Sequence, residues 1–133
     1  MKRFIGLLAA LSALELSVPA KSNCTTSDIA GVWGAYIGSY ACTVTFYSNG
    51  QILPEYSGCT YLEKTADIFG SVVVENSVLC QFTGTLVTES PVAGGATGIV
   101  LLTLSPDKLT ASGIWGVENI NAPTTAVSLV RVK

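Results

Sequence analysis

From Gly31 onward, hydrophobic and polar residues alternate with a period of two over most of the chain. Cys42, Val44 and Phe46 interleave with Thr43, Thr45 and Tyr47. Further on, Cys80, Phe82 and Leu86 interleave with Gln81, Thr83 and Thr85. Alternation of this kind marks strands that bury one face. The breaks between runs carry turn chemistry: Asn49-Gly50, Asn76-Ser77 and Pro106-Asp107. Asn-Gly in particular tolerates the positive φ of a tight hairpin. The pattern predicts eight strands, over residues 32–40, 42–48, 51–57, 70–75, 78–88, 97–105, 109–118 and 125–132. Only residues 62–68 suit a helical turn.

No connection is long enough for a helical crossover, so neighbouring strands must run antiparallel. Eight such strands in an open sheet would leave two unpaired edges, and closure removes both. The expected fold is therefore an all-β, eight-stranded antiparallel up-and-down β-barrel, with a two-sheet β-sandwich as the alternative. Alternate turns of such a barrel fall at the same end. Tight turns follow strands two, four and six, while longer connections (58–69, 89–96 and 119–124) follow strands three, five and seven. One end is expected to be pinched shut and the other to be framed by longer loops, with the tight Tyr40-Ala41 connection as the exception there. Loops on a rigid scaffold are where binding and chemistry usually sit.

The start of the chain reads differently. Lys2 and Arg3 precede an apolar run from Phe4 to Leu14, and Val18-Pro19-Ala20 follows. This is the layout of a secretory signal peptide over residues 1–20, and the run is too short to span a bilayer. The expected product, residues 21–133, is a single domain without a membrane anchor, secreted or periplasmic. Export to an oxidising space makes two disulfides of Cys24, Cys42, Cys59 and Cys80. Turn parity brings Cys42 and Cys59 to the open end, and Cys24 and Cys80 to the closed end, so Cys42–Cys59 and Cys24–Cys80 are the expected pairs. The cysteine spacings of 18, 17 and 21 contain no close pair, which argues against zinc.

The 133 residues include seven Lys and Arg, nine Asp and Glu and no His, for a net charge of −2. That balance rules out a basic nucleic-acid face as the main feature. Without histidine there is no imidazole base, Ser-His pair or imidazole metal ligand. No cofactor, metal site or catalytic residue is expected, and the chain is read as a non-enzyme. The remaining route to chemistry is a cyclase- or isomerase-like barrel, or carboxylates such as Glu89 and Glu118 near the open mouth. Glu63, Lys64 and Asp67 read as solvated charges.

Gly31-Val32-Trp33, at the start of the first strand, resembles the G-x-W signature of the calycin barrels, the group that includes lipocalins and avidins. In those families the tryptophan plugs the closed end and an arginine of the last strand packs over it. The resemblance carries this over to Trp33 and Arg131, which strand parity separately places side by side. It implies a binding barrel. With only Trp33 and Trp115, the several-tryptophan biotin box of avidins is not recognisable.

The leading expectation is a secreted protein that holds a small apolar ligand at the open end, among Tyr40, Tyr61, Trp115 and Asn119. Glycines flank Trp115 in Gly113-Ile114-Trp115-Gly116, where another chain or a ligand can approach closely. The alternative is a protein-binding factor, such as an inhibitor of an extracellular hydrolase, acting through the open-end loops. Tyr36, Tyr40, Tyr47, Tyr56 and Tyr61 suit it, because tyrosine supplies contact area at low entropic cost. Ile99-Val100-Leu101-Leu102 is apolar on both faces, so its outer face is expected to be covered, either by a loop or by self-association through strand 97–105. Gly94-Gly95 marks the 89–96 connection as a lid or a slack loop.

Overall fold

The computed structural model describes residues 23–62, 64–90, 94–117 and 124–133. The signal-peptide segment 1–20 and Asn119 lie outside them. Nine strand segments follow in order: β1 (Gly31–Ile37), β2 (Tyr40–Phe46), β3 (Gln51–Ile52), β4 (Gly58–Tyr61), β5 (Lys64–Asn76), β6 (Gln81–Ser90), β7 (Gly94–Leu104), β8 (Thr110–Val117) and β9 (Thr125–Arg131). Every pairing is antiparallel, and β1 pairs with both β2 and β9, so the sheet closes on itself. β3 and β4 both lie between β2 and β5 and occupy one position around the ring. The molecule is a closed eight-stranded antiparallel barrel.

The third strand is interrupted where continuous strand was expected over 51–57. Pro54 lacks the N–H that a central strand must donate, and it begins a 3-10 turn over Pro54–Tyr56. Side chains mend the ladder there. The buried Ser57 Oγ accepts the Thr45 N–H at 2.9 Å, and Thr45 Oγ1 donates to the Tyr56 carbonyl at 3.0 Å.

A larger departure concerns residues 58–69. The segment is neither a loop nor a helical turn, because β4 and β5 form a hairpin from the Gly58–Asp67 pair to the Tyr61–Lys64 pair. Ala66 and Ile68 point inward while Thr65 and Asp67 point out, so the period of two persists through it. The 89–96 connection also shrinks, since β6 runs to Ser90 and β7 starts at Gly94. The expected Tyr40-Ala41 turn lies instead at Gly38, whose φ of 62° allows the sharp reversal, and Tyr40 already belongs to β2. The connections after β4 and β6 are thus shorter than the turn pattern implied.

The inward positions form one apolar core. Trp33, Phe82, Ile29, Ile52, Ile68 and Val72 are its largest fully buried side chains, each contributing roughly 1.5–3 kcal/mol of burial. A cavity of about 20 Å³ remains among Ala35, Phe46, Val72, Val100, Leu102 and Leu129, room for about one water.

Candidate functional site

Each end of the barrel carries one tryptophan. At the closed end, a 3-10 turn over Thr26–Ile29 lies against β1 and β5, where the Thr26 hydroxyl accepts the Val74 N–H at 3.1 Å. Trp33 Nε1 donates to the Ile29 carbonyl at 2.9 Å, and neither residue is exposed. Arg131, paired with Trp33 in the β1–β9 ladder, stands with its guanidinium carbon 4.3 Å from the Trp33 ring centroid. Its Nε donates to the Lys108 carbonyl at 2.9 Å, Nη1 to the Ala30 carbonyl at 2.6 Å and Nη2 to the Asp28 carbonyl at 2.8 Å. One side chain therefore binds the N-terminal turn, the β7–β8 hairpin and the last strand. The Cys24–Cys80 disulfide and the Lys108–Asp28 ion pair, at 3.0 Å, reinforce the same junction. The Thr25 backbone N–H holds the Asp28 carboxyl below its ordinary pKa, and Lys108 helps against the opposing effect of partial burial. This end is a structural latch.

Toward the other end, Trp115 on β8 is half-buried and reaches across two neighbouring strands. Its Nε1 donates to the Leu86 carbonyl on β6 at 3.0 Å. The ring crosses β7 at Gly98, where a Cβ would stand 2.9 Å from Trp115 Cε2. Glycine at that point lets the indole lie flat, so Trp115 roofs the core as Trp33 floors it.

Among the described residues, the rim beyond Trp115 includes the β1–β2 turn and the β4–β5 hairpin. Tyr40 is 41% exposed, and it lies one position beyond the Ala41–Thr60 pair, opposite Tyr61. The Tyr61 backbone is paired with Lys64, but its side chain is outside the described residues. The sequence reading brought Tyr40 and Tyr61 to one place and overlooked Leu62, which lies at the tip of the β4–β5 hairpin. Leu62 is 76% exposed, with a φ of 50°. The signal for that tip was the symmetry of Cys59-Thr60 and Thr65-Ala66 about residues 62 and 63. The Cys42–Cys59 disulfide links facing residues of β2 and β4 and braces this hairpin three positions from its tip. A leucine in the left-handed region costs roughly 1–2 kcal/mol, so the fold holds a large apolar side chain out in water on a stiff, strained support.

Tyr56, in the 3-10 turn that interrupts the third strand, is 65% exposed, and Tyr36 on β1 is 61% exposed. Asp67 and Glu89 face each other across β5 and β6, both exposed on the outside. Among the described residues, no buried polar side-chain atom lacks a hydrogen-bond partner, and no group of acidic residues or cysteines is arranged to hold a metal ion. No helix among them is long and apolar enough to cross a membrane. The two disulfides suit an oxidising, extracellular-type environment.

No protein-family model, characterised protein or solved structure matches this chain.

Proposed function

We propose that this chain is a secreted, calycin-like barrel that binds an extracellular protein through its open rim, with a hydrolase it inhibits as the partner class. The observation that carries the reading is Leu62. A solvent-exposed leucine in a left-handed conformation, on a hairpin braced by Cys42–Cys59, has no evident use in stabilising the fold. It is preorganised to enter an apolar pocket with little further loss of entropy. Tyr40 beside it has the amphipathic surface typical of interface anchors.

A small apolar ligand inside the barrel is the other use of such a fold. The described core offers it little room, since ligand pockets run to about 300–1,000 Å³ and the cavity among those core residues holds about 20 Å³.

The test is inhibition of a panel of purified extracellular proteases and glycosidases by the disulfide-bonded protein, wild type against Leu62→Asp and Tyr40→Ala. The expected result is saturable inhibition of at least one enzyme, weakened about 30-fold or more by Leu62→Asp, as for a hot spot of about 2 kcal/mol. A stoichiometric apolar compound in native mass spectra, together with no enzyme inhibited, would overturn the reading and restore the internal ligand.

A further inference from the structure

Asn23-Cys24-Thr25 forms a motif that neither the closed-end latch nor the rim explains. Of Asn23, Asn49, Asn76, Asn119 and Asn121, Asn23 alone has a hydroxyl residue two positions on, the Asn-x-Ser/Thr pattern of an N-glycosylation acceptor. The structure puts it where a bulky, hydrated modification fits. Asn23 and Thr25 are exposed, just before the 3-10 turn at Thr26–Ile29, while Cys24 between them is buried. A second, separate feature lies against it. The Cys24 N–H donates to the Ser77 carbonyl at 2.9 Å, and Cys24 is bonded to Cys80, so Asn23 borders the β5–β6 turn. That turn holds Val78 and Leu79 out in water, 55% and 56% exposed, with no charged residue from Asn76 to Gln81. Adjacent large apolar side chains at a hairpin turn call for a cover.

We propose that Asn23 carries an N-linked glycan whose first sugars cover Val78 and Leu79. The inference rests on the secreted reading given above. The donor is a polyprenyl-diphosphate-linked oligosaccharide, the substrate class of the transferase of a eukaryotic secretory membrane. The Asn23 carboxamide nitrogen attacks C1 of the first sugar. An N–C1 bond forms, the C1–O bond breaks, polyprenyl diphosphate leaves, and one amide proton passes to a base of the transferase. Sugar rings then lay their C–H faces on the two side chains while their hydroxyls stay in water. Timing follows from the fold. In the folded chain the Thr25 hydroxyl is 2.9 Å from Ser27 Oγ, the Thr25 N–H donates to Asp28 Oδ2 at 2.8 Å, and the disulfide fixes Cys24. The acceptor is therefore free to enter a transferase only before this corner forms. Chain order supplies that interval, because Cys80 follows Cys24 by 56 residues. The glycan stands at the closed end, away from Tyr40 and Leu62, so the rim stays open to a partner.

The test is translation of the full chain, leader included, with endoplasmic-reticulum microsomes, followed by electrophoresis with and without peptide-N-glycosidase. The expected result is one protease-protected band of lower mobility that the glycosidase returns to the unmodified position. Asn23→Gln and Thr25→Ala should abolish the shift, and Thr25→Ser should retain it. A protected chain that is never shifted, or a shift that survives Asn23→Gln, would overturn the glycan while leaving export intact. A chain that stays accessible to protease would overturn export and the glycan together. The cover is read by anilinonaphthalene sulfonate fluorescence on chain secreted from eukaryotic cells. Asn23→Gln should bind more dye than the glycosylated wild type, and adding Val78→Ser and Leu79→Ser should remove the excess. Equal dye binding with and without the glycan, or an excess that persists in the triple variant, would overturn the cover.

Discussion

Replacing Arg131 with Met keeps the aliphatic stem and removes the guanidinium, which isolates the contribution of the closed-end latch. Three carbonyls, of Lys108, Ala30 and Asp28, lose their donor, and the Trp33 ring loses its cation. Hydrogen bonds to a charged donor contribute about 1.5–3 kcal/mol each when buried. Arg131 is half-buried, so about 1 kcal/mol per bond is the appropriate scale, with roughly 0.5–1 kcal/mol more from the cation–π contact. The loss is then about 4 kcal/mol, a large part of the 5–15 kcal/mol typical of a domain. At about 4 °C per kcal/mol for a domain of this size, the melting temperature falls by about 15 °C. Circular dichroism and tryptophan fluorescence at pH 7, on disulfide-bonded protein, measure it. Arg131→Lys keeps the charge but only one donor position, and should recover less than half of the loss. A fall of under about 4 °C for Arg131→Met, equivalent to about 1 kcal/mol, would refute the latch as the closing element of the barrel.

Other outcomes follow from the same geometry. Leu62→Gly relieves the left-handed strain at the hairpin tip, so the melting temperature should rise, by the equivalent of about 1 kcal/mol, while partner binding is lost. A fall in stability would show that the leucine packs usefully. Asp28 titrates below its ordinary value of 3.8 in the folded protein, so its contribution is complete above that value and is lost as pH falls through the lower folded one. Asp107, lowered by the Ser105 hydroxyl and the Leu109 backbone N–H, acts in the same direction. Urea midpoints should therefore decline from pH 4 toward pH 2, and Asp28→Asn should flatten the decline. The disulfides should differ as well. Cys24–Cys80 spans 56 residues and Cys42–Cys59 spans 17, so replacing the first pair by Ala should cost about 4 kcal/mol and the second about 3 by loop entropy. Guanidinium unfolding of the two double variants checks that order.

The alternation around Cys42–Phe46 and Gln81–Leu86, together with the turns at Asn49-Gly50 and Pro106-Asp107, was sufficient to predict a closed antiparallel barrel. Those signals are local: one buried face demands a period of two, and tight reversals demand residues that accept positive φ. Strand parity likewise brings Trp33 beside Arg131, because in a closed sheet the last strand must return to the first. The break in the third strand and the hairpin at Leu62 were not legible. Pro54 announces an interruption but not that Ser57 and Thr45 will bridge it. The stretch from Leu62 to Ile68 has too few apolar residues to distinguish a helical turn from a strand until β4 and β6 lie on either side of it. The roofing of the core by Trp115 depends on Gly98 in another strand and a carbonyl in a third. The sequence by itself determined the period, the antiparallel direction and the closure, all set by neighbouring residues and short turns. Which side chain roofs the core toward the open end, and which leucine is left in water, was decided only by the tertiary structure, because those outcomes depend on contacts between strands far apart in the chain.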